Sequence, residues 1–309
     1  MIPIYAVDIA NENNVCFDGT SVKNFKNTES GVKVWVDKLK PNSIVALEPT
    51  GGYSELVATA AYKAGHTVFM IQPAWIKSHR SSLGRRAKTD PTDAKLIYDY
   101  VESKKDKLFA WKPMDEDLAN LKRLVRQRQG LAQDRSRMRQ RLKALQVHPT
   151  LIATVLDGVE TVIKELEVQI KAALKTFPES KFLLSIKGIG PISAAYLLTV
   201  LKHIEFKNVD SFIAWIGIDP VPSDSGNGKA PRRISKRGDK HLRSALFVGA
   251  MAAIRSTIWS SRYERFIAKG LKPHQALVAI AKKLATVAYH LFKKQVVFDP
   301  DMVALPKAA

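Results

Sequence analysis

The sequence predicts an α/β domain followed by a mostly α chain. Three observations predict it. Short apolar runs alternate with amphipathic helical patterns as far as Val101, the mark of a sheet whose strands are joined by helices. Asp115 to Leu145 carries leucines at helical spacing among arginines and lysines. From Lys181 onward the patterns are helical again.

Taken in order, Ile2 to Ile9 reads as a buried strand with an acid, Asp8, near its end. Val15 to Phe25, turning at Asp18-Gly19, supplies two more strands. Thr28 to Lys40 has Val32, Trp35, Val36 and Leu39 on one helical face, and Pro41-Asn42 breaks it. Ser43 to Leu47 is a second apolar strand followed by an acid, Glu48. Tyr53 to Ala64 is a helix closed by Gly65; Thr67 to Ile71 is a strand stopped by Gln72-Pro73. A basic segment, Lys77 to Lys88, leads into a helix from Thr89 to Val101. Thr89 or Asp90 suits its N-cap, and Pro91 suits its first turn.

Asp115 to Leu145 is one long helix with Gly130 as a weak point, and a second helix runs from Pro149 to about Lys175. Two such helices predict an antiparallel hairpin or coiled coil. Ile186 to Pro191 is a turn between helices whose Gly-x-Gly spacing suits a phosphate-binding helix-hairpin-helix. The same spacing also suits a plain tight turn. Phe212 to Ile218 is apolar and ends at Asp219-Pro220; Ser223 to Arg243 is rich in Gly, Ser, Lys and Arg. Arg243 to Ile258 and Pro273 to Phe292 are two closing helices.

The chain has 49 Lys and Arg against 29 Asp and Glu, a formal charge of +20. That excess implies a polyanionic partner, because cationic side chains release counterions from phosphates. The cations cluster. Arg85, Arg86 and Lys88 stand before a helix; Arg126, Arg135 and Arg139 lie on the long basic helix; Lys229, Arg232, Arg233, Lys236 and Arg237 surround Ser235. These are the candidate nucleic-acid contacts. A single cysteine, Cys16, excludes an intrachain disulfide and a cysteine-rich zinc site. No apolar run reaches membrane-spanning length and the start lacks a signal-peptide pattern, so a cytoplasmic, nucleoid-associated protein with no membrane partner is expected.

Two constellations carry chemistry. Asp8 and Glu48 each follow an apolar strand; Asp90 and Asp93 share a face at a helix start. Four carboxylates so placed suit hard divalent cations and phosphodiester chemistry. Singly, each also suits a cap or an ion pair. The second is Ser235, in Arg232-Arg233-Ile234-Ser235-Lys236-Arg237-Gly238. A serine hydroxyl needs a proton acceptor to become a nucleophile, and flanking cations can offset charge on a phosphate. A phosphate-binding loop with no covalent role fits equally, and Ser223, Ser225 and Ser244 are rivals. Gly226-Asn227-Gly228-Lys229 lacks P-loop spacing, and the seven histidines lack metal-ligand spacing.

In their order these blocks resemble the DEDD-type transposases of the insertion-sequence 110 family and the related Piv-type DNA invertases. The matching residues are Asp8, Glu48-Pro49-Thr50-Gly51-Gly52-Tyr53, Gln72-Pro73 and Lys88-Thr89-Asp90-Pro91-Thr92-Asp93-Ala94. Further on they are Ile189-Gly190-Pro191, Phe212 to Pro220, and Ile234-Ser235-Lys236-Arg237-Gly238-Asp239 running into Leu242-Arg243. One departure is Asn11, where the family often has Lys.

The resemblance implies a RuvC-like, RNase H-type domain over residues 1–112, a helical coiled-coil arm over 113–178 and a helical transposase domain over 179–309. It implies Asp8, Glu48, Asp90 and Asp93 as ligands for Mg²⁺ or Mn²⁺, and Ser235 as the nucleophile that forms a transient phosphoserine link to DNA. It further implies that carboxylates and serine meet across subunits of a dimer or tetramer. A noncoding guide RNA would pair with double-stranded donor and target DNA. The alternatives are a Piv-like invertase without a guide, a RuvC-like junction nuclease, and a non-catalytic nucleic-acid-binding protein.

Overall fold

The computed structural model describes residues 2–50, 52–83, 90–221, 224–225, 228–229, 233–236 and 238–303; for Asp90, Pro91, Lys107, Asp224, Ser225, Gly228, Lys229, Met302 and Val303 it gives the backbone only. Contacts divide the chain into two units, Met1–Pro113 and Met114–Ala309.

The first unit is a sheet with helices on both faces. Its strands are β1 (Ile4–Asp8), β2 (Asn13–Phe17), β3 (Val22–Lys26), β4 (Ile44–Leu47) and β5 (Thr67–Met70), in the order β3-β2-β1-β4-β5. β1 to β3 form an antiparallel meander, whereas β4 and β5 run parallel to β1. The helices are α1 (Glu29–Val36), α2 (Tyr53–Lys63), α3 (Pro73–Ser82) and α4 (Asp90–Lys104). β1 and β4 read as apolar runs because both their faces are covered. Val7, Val45, Leu47 and Val68 pack with Val32, Trp35, Val57 and Ala61 of α1 and α2. Ile4, Ala6, Ile44 and Ala46 pack with Ile76 of α3 and Leu96, Ile97 and Val101 of α4. Burial pushes the Cys16 thiol up to about 12, so Cys16 acts as a small apolar core residue.

The second unit is helical. α5 (Glu116–Ala144) and α6 (Pro149–Lys175) form an antiparallel hairpin. α7 (Ser180–Leu184), α8 (Pro191–His203) and α9 (Val209–Ile216) follow, then α10 (Lys240–Ala253), α11 (Thr257–Ala268) and α12 (Pro273–Lys294). α8 is apolar almost all round because it is the central helix, buried from Ser193 to Leu201. Leu118, Leu121, Leu124 and Val125 at the base of α5 share its core with α9, α10 and α12. Tyr196 donates its hydroxyl to the Val125 carbonyl at 3.2 Å, and burial pushes that hydroxyl up to about 12, keeping the donor protonated. Among the described residues between α9 and α10 are four short strands: β6 (Pro220–Val221), β7 (Asp224–Ser225), β8 (Gly228–Lys229) and β9 (Arg233–Ile234). β6 pairs with β9 and β7 with β8, both antiparallel.

Two helices lie where no helix was expected. α3 occupies the segment that reads as a strand stop followed by a basic run; Pro73 opens a helix there instead of ending structure. α11 falls between the two expected closing helices, with Trp259 as its one fully buried side chain. The expected helix over Arg243 to Ile258 accordingly begins at Lys240 and ends at Ala253.

The Gly-x-Gly turn before α8 has a packing role. Gly188 has φ +99°, and a Cβ there would stand 2.5 Å from the Ala253 Cβ and 2.6 Å from the Gly249 carbonyl. Gly130, inside α5, has nothing within 4 Å of such an atom. Gly188→Ala therefore lowers the stability of the full chain by about 1–3 kcal/mol. Gly130→Ala raises it by about 0.5–1 kcal/mol. Urea denaturation of both variants checks the pair; equal effects would contradict the close approach at α10.

Candidate active site

The sheet register brings two of the four candidate acids together. β1 and β4 run parallel with Val7 opposite Leu47. Asp8 is the last residue of β1 and Glu48 the first after β4, so the chain carries them out of neighbouring strands about 4.8 Å apart. Side chains alternate along β1: Val7 and Ile9 join the core under α1 and α2, Ile4 and Ala6 the core under α3 and α4. Asp8 thus belongs to the α3/α4 face. Both acids are half-buried, and neither lacks an interaction partner.

Asp93 sits in the first turn of α4 and is buried. Ala94 and Ile97 beside it are fully buried, which anchors this end of α4. Arg80 of α3 donates Nη2 to Asp93 Oδ1. The guanidinium compensates a carboxylate that burial would otherwise penalise. The Asp90 side chain lies outside the described residues, as do Arg85, Arg86 and Lys88. Among the described residues no three His, Cys, Asp or Glu side chains are gathered closely enough to hold a metal ion. The donor chemistry nonetheless suits a hard divalent cation: an oxygen pair, Asp8 and Glu48, with Asp93 on the helix that covers their face of the sheet.

Ser235 directly follows β9. β6 pairs Pro220 with Ile234, so Asp219 and Ser235 are the next positions in register. The Ser235 amide donates to the Asp219 carbonyl at 3.0 Å, and the Ser235 Oγ donates to Asp219 Oδ1 at 2.5 Å. The Lys236 amide, at φ 53°, donates to the Gly217 carbonyl at 3.1 Å. A Cβ on Gly238 would fall 1.7 Å from the Trp215 carbonyl, so this glycine seats the loop against the end of α9. Arg243 clamps both sides, donating Nη1 to the Ile216 carbonyl at 2.9 Å and to the Gly238 carbonyl at 2.7 Å. Asp239 accepts from the His241 and Leu242 amides and caps α10.

Of the two weighed serines whose side chains are described, Ser235 and Ser244, it is Ser235 whose hydroxyl meets a carboxylate. Ser244 is exposed on α10; Ser223 lies outside the described residues, and of Ser225 only the backbone is described. Arg233 and Lys236 are exposed beside Ser235. Lys229 is placed by its backbone in β8, while Arg232 and Arg237 lie outside the described residues. Sequence reasoning missed Asp219, Arg80 and Arg243 as site residues. Arg80 was visible only as part of a basic run, and Asp219 only as a turn residue before Pro220.

The basic helix spends part of its charge internally. Arg128 donates to Glu167 at 2.7 Å and 3.0 Å, and Arg135 pairs with Glu160. The two pairs stand seven residues apart on both helices. Arg126 lies 3.9 Å from Asp239. Arg139 is exposed.

Comparison with known proteins matches the chain to two family models. Residues 6–148 match the DEDD transposase model of IS110, and residues 180–264 match that of transposases of the IS116/IS110/IS902 family. The chain is 28% identical to the pilin gene-inverting protein of Moraxella lacunata over 89% of each chain. It is 27% identical to the protein of the same name in Moraxella bovis, again over 89% of each. It is 28% identical to the transposase for insertion sequence element IS1328 of Yersinia enterocolitica, over 84% of this chain and 86% of that one.

The inward-turned arginines generate a stability prediction. A double-mutant cycle on Arg135→Ala and Glu160→Ala, read by denaturation of the full chain, gives a coupling of about 0.2–1 kcal/mol at low salt that shrinks as salt is added. No coupling at low salt would show that the pair does not hold the hairpin.

Proposed function

Because the chain belongs to the IS110 family of transposases, we propose that it cuts and rejoins the DNA of a mobile element, using the carboxylates of its first unit and Ser235 of its second. The observation that carries this reading is the parallel register of β1 and β4, which sets Asp8 beside Glu48. The strand order β3-β2-β1-β4-β5, three antiparallel strands continued by two parallel ones, supports an RNase H-type, RuvC-like assignment for this unit. The heptad spacing of the Arg128–Glu167 and Arg135–Glu160 pairs supports a coiled-coil arm.

Asp8 and Glu48 would hold a divalent cation, Mg²⁺ or Mn²⁺, with Asp90 and, once Arg80 gives up its oxygen, Asp93. When bound, such a cation supplies Lewis-acid charge at a phosphate. Ser235 supplies the nucleophile: its Oγ bonds to phosphorus as a sugar–phosphate bond breaks, so one phosphodiester replaces another. Attack by a new sugar hydroxyl releases the serine and rejoins the strand. Arg233 and Lys236, exposed on either side, hold the phosphate electrostatically. Arg139 contributes to backbone binding on the arm, with Arg85, Arg86, Lys88, Lys229, Arg232 and Arg237 as further contacts.

The partners proposed are double-stranded donor and target DNA, further copies of this chain in a dimer or tetramer, and a noncoding guide RNA. Likeness to the two pilin gene-inverting proteins favours a second reading, DNA inversion, and an invertase of this kind acting without a guide is the alternative proposed. Sequencing the nucleic acid that copurifies with the protein separates the two: a defined short RNA supports guidance, and its absence supports the unguided invertase. No helix among the described residues is long and apolar enough to cross a membrane.

Asp8→Asn abolishes recombination and leaves salt-sensitive DNA binding nearly intact. Ser235→Ala removes the covalent protein–DNA adduct, scored by denaturing gel. Loss of DNA binding in Asp8→Asn would assign that acid a structural role; an adduct that survives in Ser235→Ala would remove Ser235 as the nucleophile.

A further inference from the structure

We propose that Asp219 is the group that orients the Ser235 hydroxyl and takes its proton during attack. The inference rests on the reading of Ser235 as the nucleophile and names the partner that activates it. Three observations carry it.

First, the Ser235 Oγ donates to Asp219 Oδ1 at 2.5 Å, within the reach a general base needs. Second, the contact is built by backbone pairing. Asp219 and Ser235 continue the β6–β9 register, and the Ser235 amide donates to the Asp219 carbonyl at 3.0 Å. A rotamer change alone does not part the two residues. Third, both ends of the loop are fixed. Gly238 lies against Trp215, and Arg243 bridges the Ile216 and Gly238 carbonyls. Two neighbouring polar residues are occupied structurally: Arg243 donates to carbonyls, and Asp239 caps α10. Asp219 has its carboxylate on the hydroxyl.

The step balances. The Ser235 Oγ–H proton passes to Asp219 Oδ1 as the Oγ–P bond forms. The P–O bond to the sugar breaks, and the leaving sugar oxygen takes a proton from water. Asp219 returns its proton to water. In the rejoining step the sequence reverses: the attacking sugar hydroxyl gives its proton to water as its oxygen bonds to phosphorus, and Asp219 takes a proton from water and passes it to Oγ as the Oγ–P bond breaks. Asp219 is therefore needed for both making and resolving the phosphoserine link.

The test measures adduct formation by the full chain at saturating DNA, with DNA affinity and thermal unfolding measured on the same preparations. Asp219→Asn keeps the shape and an acceptor oxygen but loses the basic site. Its adduct rate falls by about 100-fold or more, with DNA affinity and melting temperature unchanged. Asp219→Glu, which restores a carboxylate, recovers a large part of that rate. An Asp219→Asn protein that forms adduct at the wild-type rate overturns the proposal. So does one whose rate loss is matched by an equal loss of affinity or fold. If Asp219→Asn does not fold, Asp219→Glu carries the test: a folded Asp219→Glu protein no faster than Ser235→Ala overturns it. Failure of the parent reading looks different, because Ser235→Ala would then still form adduct, or the wild type would form none.

Discussion

The parallel pairing of β1 with β4 is the constraint on which the first unit depends. Each strand is four or five residues long and buried on both faces. A slip of one residue would turn every core side chain to the opposite layer. Val7 and Leu47 are held in register by the core under α1 and α2, and Ala6 and Ala46 by the core under α3 and α4. With the apolar residues fixed, the next residue of each strand has no freedom to be elsewhere. Two carboxylates are thereby brought together by hydrophobic burial alone, at the carboxyl end of a sheet where open α/β folds place their sites.

The second unit solves a similar problem with less apolar surface. Its serine follows a strand pair, β6 and β9, each only two residues long. Such strands cannot hold a register by themselves. Gly238, pressed against Trp215, and the Arg243 guanidinium on two carbonyls tie this pair to α9 and α10. α8, buried almost all round, packs against α10 in turn. The position of one hydroxyl thus traces back to an apolar helix. The charge of the chain is divided the same way: some arginines of α5 close the arm on Glu160 and Glu167, while others face outward.

The elements with strong periodicity were legible in the sequence. The five strands, the helices α1, α2 and α4, and the α5–α6 hairpin follow from apolar spacing and their Pro, Gly and Thr boundaries. α3 was hidden because Pro73 also stops strands and because charge masks a helix that buries only Ile76. α11 was hidden for a like reason, since it buries only Trp259. At the candidate site, the neighbourhood of Asp8 and Glu48 was legible as two strand-end acids. The Arg80–Asp93 and Asp219–Ser235 pairs were not. Each joins residues more than a dozen positions apart through tertiary geometry that no local pattern records.

In the function proposed, strand register makes Asp8 and Glu48 one cation site. Mn²⁺ binding to the full chain, followed by electron paramagnetic resonance, tests it without reference to DNA. Saturable binding is expected, weakened about tenfold or more by Asp8→Asn and by Glu48→Gln, since losing even a group that only orients a ligand costs that much. Binding of equal strength in the wild type and both variants would contradict it.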